Sequence, residues 1–117
     1  MFKNKKLSKK YKEMIREHKK ELDNLNKVAQ PWDYGFGLDY FIEFMRFMKD
    51  YYELGENVYQ AAPEKALETL KEALDEYELF DTAFCSGIAH DKILDYEQEH
   101  WNKFCDIIKE NMRIWWD

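Results

Sequence analysis

Apolar side chains recur every three or four residues along most of the chain, which is the spacing of one face of an α-helix. The first such series runs through Leu7, Tyr11, Met14, His18, Leu22, Leu25 and Ala29. Alternating polar and apolar positions, the pattern of a half-buried strand, are scarce. The sequence therefore predicts an all-α protein, with helices over about 7–29, 38–54, 63–84 and 91–116.

Proline and glycine divide these helices from one another. Pro31 follows the first helix, and the residue before a proline avoids the helical conformation. Gly55 is placed to end the second helix as a left-handed cap, and Pro63 suits the first turn of the third. Residues 30–37 are predicted to be an aromatic loop. Short connections favour antiparallel neighbours, so residues 1–117 are predicted to form one domain, a compact up-and-down four-helix bundle.

The predicted second helix is apolar around about two-thirds of its circumference. One apolar series consists of Leu38, Phe41, Met45, Met48 and Tyr52, and a second of Tyr40, Phe44, Phe47 and Tyr51. The polar strip of this helix consists of Asp39, Glu43, Arg46 and Asp50. A bundle helix needs one apolar stripe, and a contiguous exposed patch on a monomer is unusual. Either this helix lies at the centre of the fold, or its second series meets another subunit. We favour the second explanation and predict that the series forms the interface of a homo-oligomer.

Polar residues interrupt the apolar series of the first and last helices. Glu97 and His100 lie close to the centre of the apolar stripe of the last helix, and His18 lies on that of the first. In an up-and-down bundle these three residues are expected in one layer. A buried carboxylate needs a partner. Three explanations stay open: a structural pair of Glu97 with His18 or Arg46, a ligand pocket, or a metal site.

The metal hypothesis depends on the spacing Glu97-x-x-His100, which di-iron carboxylate bundles use on their inward faces. Such a site needs a second copy of the motif and two more glutamates, which only dimerisation could supply here. No cofactor is predicted, with a divalent metal as the alternative. Glu72-x-x-Asp75 and the acids of the second helix are similar to the carboxylates of all-helical nucleotide pyrophosphohydrolases, although those of the third helix lie on its polar face.

Charge is distributed unevenly along the 117 residues. Residues 1–20 carry nine basic and two acidic side chains, whereas residues 21–117 carry nine basic and twenty-two acidic ones. The acidic body disfavours nucleic acid as a partner. No apolar run reaches the ~18 residues of a membrane span, and Cys85 and Cys105 are predicted to be free thiols. We therefore expect a cytoplasmic protein that has no membrane partner.

Three short segments resemble a group of known proteins. They are Pro31-Trp32-Asp33-Tyr34-Gly35, His90-Asp91-Lys92-Ile93-Leu94 and the closing Trp115-Trp116-Asp117. Over residues 31–117 the chain resembles small all-helical proteins of bacteriophages and prophages. The resemblance brings no established active site. It implies a phage product in the bacterial cytosol, of a kind that often serves host takeover or counter-defence, in some cases by sequestering nucleotide signals.

The aromatic excess, the polar groups on apolar stripes and the lack of a catalytic motif favour a binding protein over an enzyme, with no catalytic residue assigned. The ligand is expected to be a small molecule or a host protein. The expected ligand contacts are Trp32, Asp33, Tyr34, His18, Glu97 and His100. The alternative is a metal-dependent nucleotide (pyro)phosphohydrolase, with Glu97 and His100 as candidate metal ligands.

Overall fold

A computed structural model describes residues 8–28, 34–55 and 63–116, and the regular structure within these ranges is entirely helical. The α-helices are α1 (Lys9–Val28), α2 (Tyr34–Leu54), α3 (Pro63–Asp81) and α4 (Ile93–Trp116). Two short 3-10 helices, Ala83–Cys85 and His90–Lys92, connect α3 to α4. The all-α prediction is thus confirmed for the described residues. The chain divides into two compact units, Met1–Val58 and Tyr59–Asp117.

The first helix begins at Lys9, two residues after the predicted start at Leu7, which lies outside the described residues. Ser8 sets this boundary, because its Oγ accepts a hydrogen bond from the backbone N–H of Tyr11 at 3.0 Å. A serine that accepts from the third helical amide satisfies one of the N–H groups that a helix start leaves unpaired.

The second helix begins at Tyr34, so the prediction of a loop as far as residue 37 is wrong for residues 34–37. The prediction gave too much weight to Gly35 and Gly37. A glycine costs about 1 kcal/mol relative to alanine inside a helix, which lowers its stability without forbidding it. The end of the helix is as predicted, since Gly55 follows it with a φ of 75° and donates its N–H to the carbonyl of Tyr52 at 3.2 Å.

The connection between α3 and α4 is longer than predicted, because it includes residues that were assigned to the end of the third helix and to the start of the fourth. The third helix begins at Pro63 as predicted but ends at Asp81 rather than at residue 84. The fourth begins at Ile93 rather than at Asp91, which lies inside the second 3-10 helix. There the N–H of Lys92 bonds to the carbonyl of Ala89 at 2.8 Å. Hydrogen bonds of this tighter kind commonly replace α-helical ones near helix ends.

Helices α1 and α2 of the first unit pack antiparallel. The Tyr11 ring lies 5.7 Å from that of Tyr51, and the His18 ring lies 5.1 Å from that of Phe47. Nearer the connection, the hydroxyl of Tyr40 donates to Asn26 Oδ1 at 2.5 Å. Residue numbers rise along α1 as those of their partners fall along α2. The apolar series predicted for the first helix therefore faces α2.

Helices α3 and α4 of the second unit are also antiparallel. Trp115 donates its Nε1–H to Thr69 Oγ1 at 2.9 Å, and the rings of Tyr77 and Phe104 lie 5.4 Å apart. Small and large side chains alternate in the core of this unit, whose buried members are Ala66, Leu70, Ala73, Tyr77, Ala83, Ile93, Phe104 and Trp115. The acidic face predicted for α3 is exposed at Glu64, Glu68, Glu72 and Asp75.

Each unit thus contains one pair of antiparallel helices, as the bundle prediction requires of neighbours. The order of four helices in a single bundle and the oligomeric state stay predictions. None of the helices in the described ranges combines the length and the hydropathy that a bilayer-spanning segment needs.

We expect Trp115→Ala to lower the free energy of unfolding by about 3 to 5 kcal/mol, because it removes a large side chain that is 2% exposed and leaves a cavity. Leu79→Ala is the control, since Leu79 is 39% exposed, and it should cost less than about 1 kcal/mol. Urea unfolding followed by circular dichroism measures both. Equal losses would mean that Trp115 does not anchor α4 on α3.

Candidate functional site

The polar strip of α2 contains two acids that face α1 and bind the same histidine. Glu43 Oε1 lies 2.6 Å from His18 Nδ1, and Asp50 Oδ2 lies 2.7 Å from His18 Nε2. Glu43 is 5% exposed and His18 is 9% exposed. Both ring nitrogens of His18 are therefore hydrogen-bonded within the first unit.

The helix geometry explains this arrangement. Glu43 and Asp50 are seven residues apart, which places them on one face of α2 with about 10.5 Å of axial rise between them. The His18 ring projects from α1 between them and takes one carboxylate on each nitrogen. The edge of the ring meets Phe47, whose centroid lies 5.1 Å away. The imidazole is thereby fixed in both position and orientation.

Both ring nitrogens of His18 lie within hydrogen-bond distance of a carboxylate oxygen, and the tautomer decides which nitrogen donates. Basic side chains stand beside each acid. Arg46 Nη1 lies 3.5 Å from Glu43 Oε2, and Lys49 Nζ lies 3.4 Å from Asp50 Oδ1. The cluster of His18, Glu43 and Asp50 thus joins the two facing helices through side-chain hydrogen bonds.

A cavity of about 260 Å³ opens between α1 and α2 beside this cluster. Its lining residues are Ile15, His18, Lys19, Leu22, Glu43, Phe44 and Phe47. The outer wall is apolar and reaches solvent, since Phe44 is 50% exposed and Ile15 is 36% exposed. His18 and Glu43 are buried at the floor of the cavity, whose exposed surface is almost entirely apolar. We call this feature the α1–α2 cavity.

A row of basic side chains runs along α1 next to the cavity. Lys12, Arg16 and Lys19 follow one another by four and three residues, and all three are exposed. This spacing places them on one side of the helix, adjacent to the face that carries Ile15 and Leu22. The row, which we call the basic row, places three positive charges along one edge of the α1–α2 cavity, and the exposed Asp23 follows Lys19 by four residues on the same side.

Most of the predicted oligomer interface on α2 packs against α1 of the same chain. Tyr40, Phe47 and Tyr51 each contact a side chain of α1. The apolar surplus that suggested an interface is therefore explained at these three positions by the α1–α2 packing. Phe44 differs, because it lines the cavity and remains half exposed.

The second unit holds His100, whose Nδ1 is hydrogen-bonded to the Glu76 carboxylate of α3. The ring of Tyr96 stands edge-on to it at 4.4 Å, and Glu97 is half-buried on the same helix. The partners of His18 and His100 named here thus lie within their own units. The common layer of His18, Glu97 and His100 stays a prediction.

A metal at Glu97 and His100 likewise stays a prediction. Over residues 8–28, 34–55 and 63–116, no group of three or more His, Cys, Asp or Glu side chains is arranged to hold a metal ion. Trp32 and Asp33 lie outside the described residues, so their expected ligand contacts also stay predictions. Tyr34 is the first residue of α2, and its side chain lies outside the described part.

The sequence analysis missed the partners of both histidines, which are Glu43, Asp50 and Glu76. The first two carried a usable signal. A histidine on the apolar face of one helix needs polar partners, and two acids separated by two turns on a neighbouring helix can supply one for each nitrogen. Glu76 had no such signal, since it resembles its exposed acidic neighbours on α3.

Both cysteines are free thiols, as predicted. Cys85 is exposed in the first 3-10 helix, whereas Cys105 is half-buried on α4. Burial raises the pKa of the Cys105 thiol above its usual value of 9.0, and the neighbouring Asp106 carboxylate raises it further. Cys105 therefore holds less thiolate near neutral pH than an ordinary cysteine.

Comparison with known proteins finds no relative: no family model, curated protein or solved structure matches the chain. The resemblance to phage proteins stays a prediction. A functional assignment therefore depends on the geometry of the α1–α2 cavity.

The first prediction for this site concerns the pairing of His18 with Glu43. We expect His18→Leu to lower the free energy of unfolding by about 3 to 5 kcal/mol, because it leaves the Glu43 carboxylate buried without that partner. Adding Glu43→Met should recover much of the loss, since an apolar pair can replace a buried ion pair.

The control for this double-mutant cycle is Arg46→Ala. The Arg46 side chain is 55% exposed, so its loss should cost under about 1 kcal/mol. Urea unfolding of the single and double variants gives the coupling energy of His18 and Glu43. Strictly additive losses would contradict the coupling that we derive from the 2.6 Å contact.

A further prediction concerns thiol reactivity. Iodoacetamide should alkylate Cys85 faster than Cys105, because Cys105 is half-buried and its pKa is raised. Raising the pH towards 9 should increase the Cys105 rate as its thiolate forms. Peptide mass spectrometry of timed samples separates the two sites, and faster labelling of Cys105 at neutral pH would contradict the described burial.

Proposed function

We propose that this chain is a binding protein whose recognition site is the α1–α2 cavity. The observation that carries the proposal is an open, almost wholly apolar cavity between α1 and α2 that has basic side chains along one edge. The ligand is a molecule, or a segment of a protein, that joins an apolar group to an anionic group.

The preference for an apolar group in the ligand comes from the cavity wall. Phe44 and Ile15 expose apolar surface that a ligand would remove from water. Burial of such surface stabilises a complex by roughly 25 cal/mol per Å² before the costs of association are counted. A planar or branched apolar group suits a concave site with aromatic sides.

The preference for an anionic group comes from the basic side chains beside the cavity. Lys19 lines the cavity, and Lys12 and Arg16 continue the basic row along α1. A carboxylate or phosphate attached to the apolar group would be attracted to this edge.

This proposal keeps the expectation of a binding protein for a small ligand or a host protein, and it keeps His18 among the ligand-binding residues. It places Phe44, which was predicted to lie at a subunit interface, in the wall of the ligand site. The counter-defence role, the phage origin and the sequestered nucleotide signal remain proposals that only the resemblance supports.

Indole-3-acetate, an aromatic carboxylate, is a suitable probe for the site. Titration followed by ¹H–¹⁵N NMR should shift amide signals around Ile15, Leu22 and Phe44. Lys19→Glu should weaken binding about tenfold, because a repulsive charge replaces an attractive one at the cavity edge.

Lys20→Glu is the matched control, since it makes the same charge change on an exposed α1 residue that does not line the cavity. It should change the affinity far less than Lys19→Glu. Shifts confined to other parts of the chain, or equal effects of the two variants, would refute the α1–α2 cavity as the recognition site.

A further inference from the structure

Two apolar side chains project into solvent at the connection between α3 and α4. Phe84 is 64% exposed in the first 3-10 helix, and Leu94 is 69% exposed in the first turn of α4. These are the two most exposed large apolar side chains among the described residues. We call Phe84 and Leu94 the apolar tip.

The apolar tip lies among acidic residues. Asp81, Asp91 and Asp95 are all exposed in or beside the connection, whose basic residues are His90 and Lys92. The tip therefore joins apolar groups to negative charge. That is the chemistry that the α1–α2 cavity and the basic row require of a ligand.

We propose that the partner of the α1–α2 cavity is a second copy of this chain, which inserts Phe84 of its apolar tip. This inference rests on the proposed function and names its ligand. Leu94 covers the apolar rim at Phe44, and the aspartates of the tip face the basic row. Apolar and charged complementarity both favour this occupant.

The dimensions agree with this assignment. A protein cavity of about 150 Å³ holds a benzene molecule. The α1–α2 cavity, at about 260 Å³, has room for the phenyl ring of Phe84. Phe44 and Phe47 supply aromatic neighbours, which favour edge-on or offset contacts with an inserted ring.

The cavity and the tip are different surfaces of the chain, so the contact is head-to-tail. Each copy carries one of each, and an interface of this kind continues into rings or open chains of subunits. A contact centred on one small cavity buries little area, so we expect association that is reversible and depends on concentration. Salt should weaken it by screening the aspartates from the basic row.

Complementation between two variants tests this geometry. Phe44→Glu places a charge in the cavity but leaves the tip intact, and Phe84→Ser removes the ring of the tip but leaves the cavity intact. Both residues are at least half exposed, so both variants should fold. Circular dichroism checks this first.

Sedimentation equilibrium over a range of concentrations then measures mass. The wild-type chain should exceed the mass of two subunits at the highest concentration, and each variant alone should remain a monomer. An equimolar mixture of the variants should form a heterodimer and stop there, because it holds one intact cavity and one intact tip for each pair.

Charge gives an independent check. Lys19→Glu should reduce self-association at least tenfold, whereas Lys20→Glu should leave it nearly unchanged. Adding Asp95→Lys to the Lys19→Glu chain should restore part of the association, because the two substitutions together exchange the signs of the facing charges and leave them attractive. A loss that Lys20→Glu reproduces would overturn the assigned face.

The outcomes separate this inference from the proposed function. A wild-type chain that is monomeric throughout, yet binds indole-3-acetate in the cavity, overturns the second copy as partner and leaves the binding site standing. A monomer that binds no probe overturns both. An oligomer that survives both single variants, or variants whose mixture stays monomeric, overturns the head-to-tail contact.

Discussion

The buried contact of His18 with Glu43 and Asp50 is the constraint on which the first unit depends. A carboxylate that is 5% exposed is costly unless it is paired, and His18 also needs partners for both nitrogens. Each residue meets the other's requirement only if α1 and α2 are antiparallel with these faces together. The same contact positions the floor of the α1–α2 cavity, so fold and site share one cause.

The periodicity of apolar residues predicted the fold class and the helices, because helix formation follows local spacing. The glycine cap at Gly55 and the start at Pro63 were equally local and are confirmed. The start of α2 was not predictable from Gly35 and Gly37, whose helix penalty is outweighed by the rest of a 21-residue helix.

The candidate site was predictable only in part. His18 was found because a polar residue on an apolar stripe is conspicuous. Glu43 and Asp50 were missed because α2 is apolar over most of its surface, and its own sequence does not say which face meets α1. That choice is made by the neighbouring helix, through the one polar side chain that needs two acids.

The contact of His18 with two acids seven residues apart also fixes the axial alignment of the two helices. Purely apolar faces can slide, since a shift of one turn, about 5.4 Å, exchanges one contact for a similar one. Here the same slip would break both hydrogen bonds of His18 together and leave Glu43 buried without its partner on α1. The cluster therefore fixes the register of α1 against α2, so that the two helices pack in a single alignment along their axes.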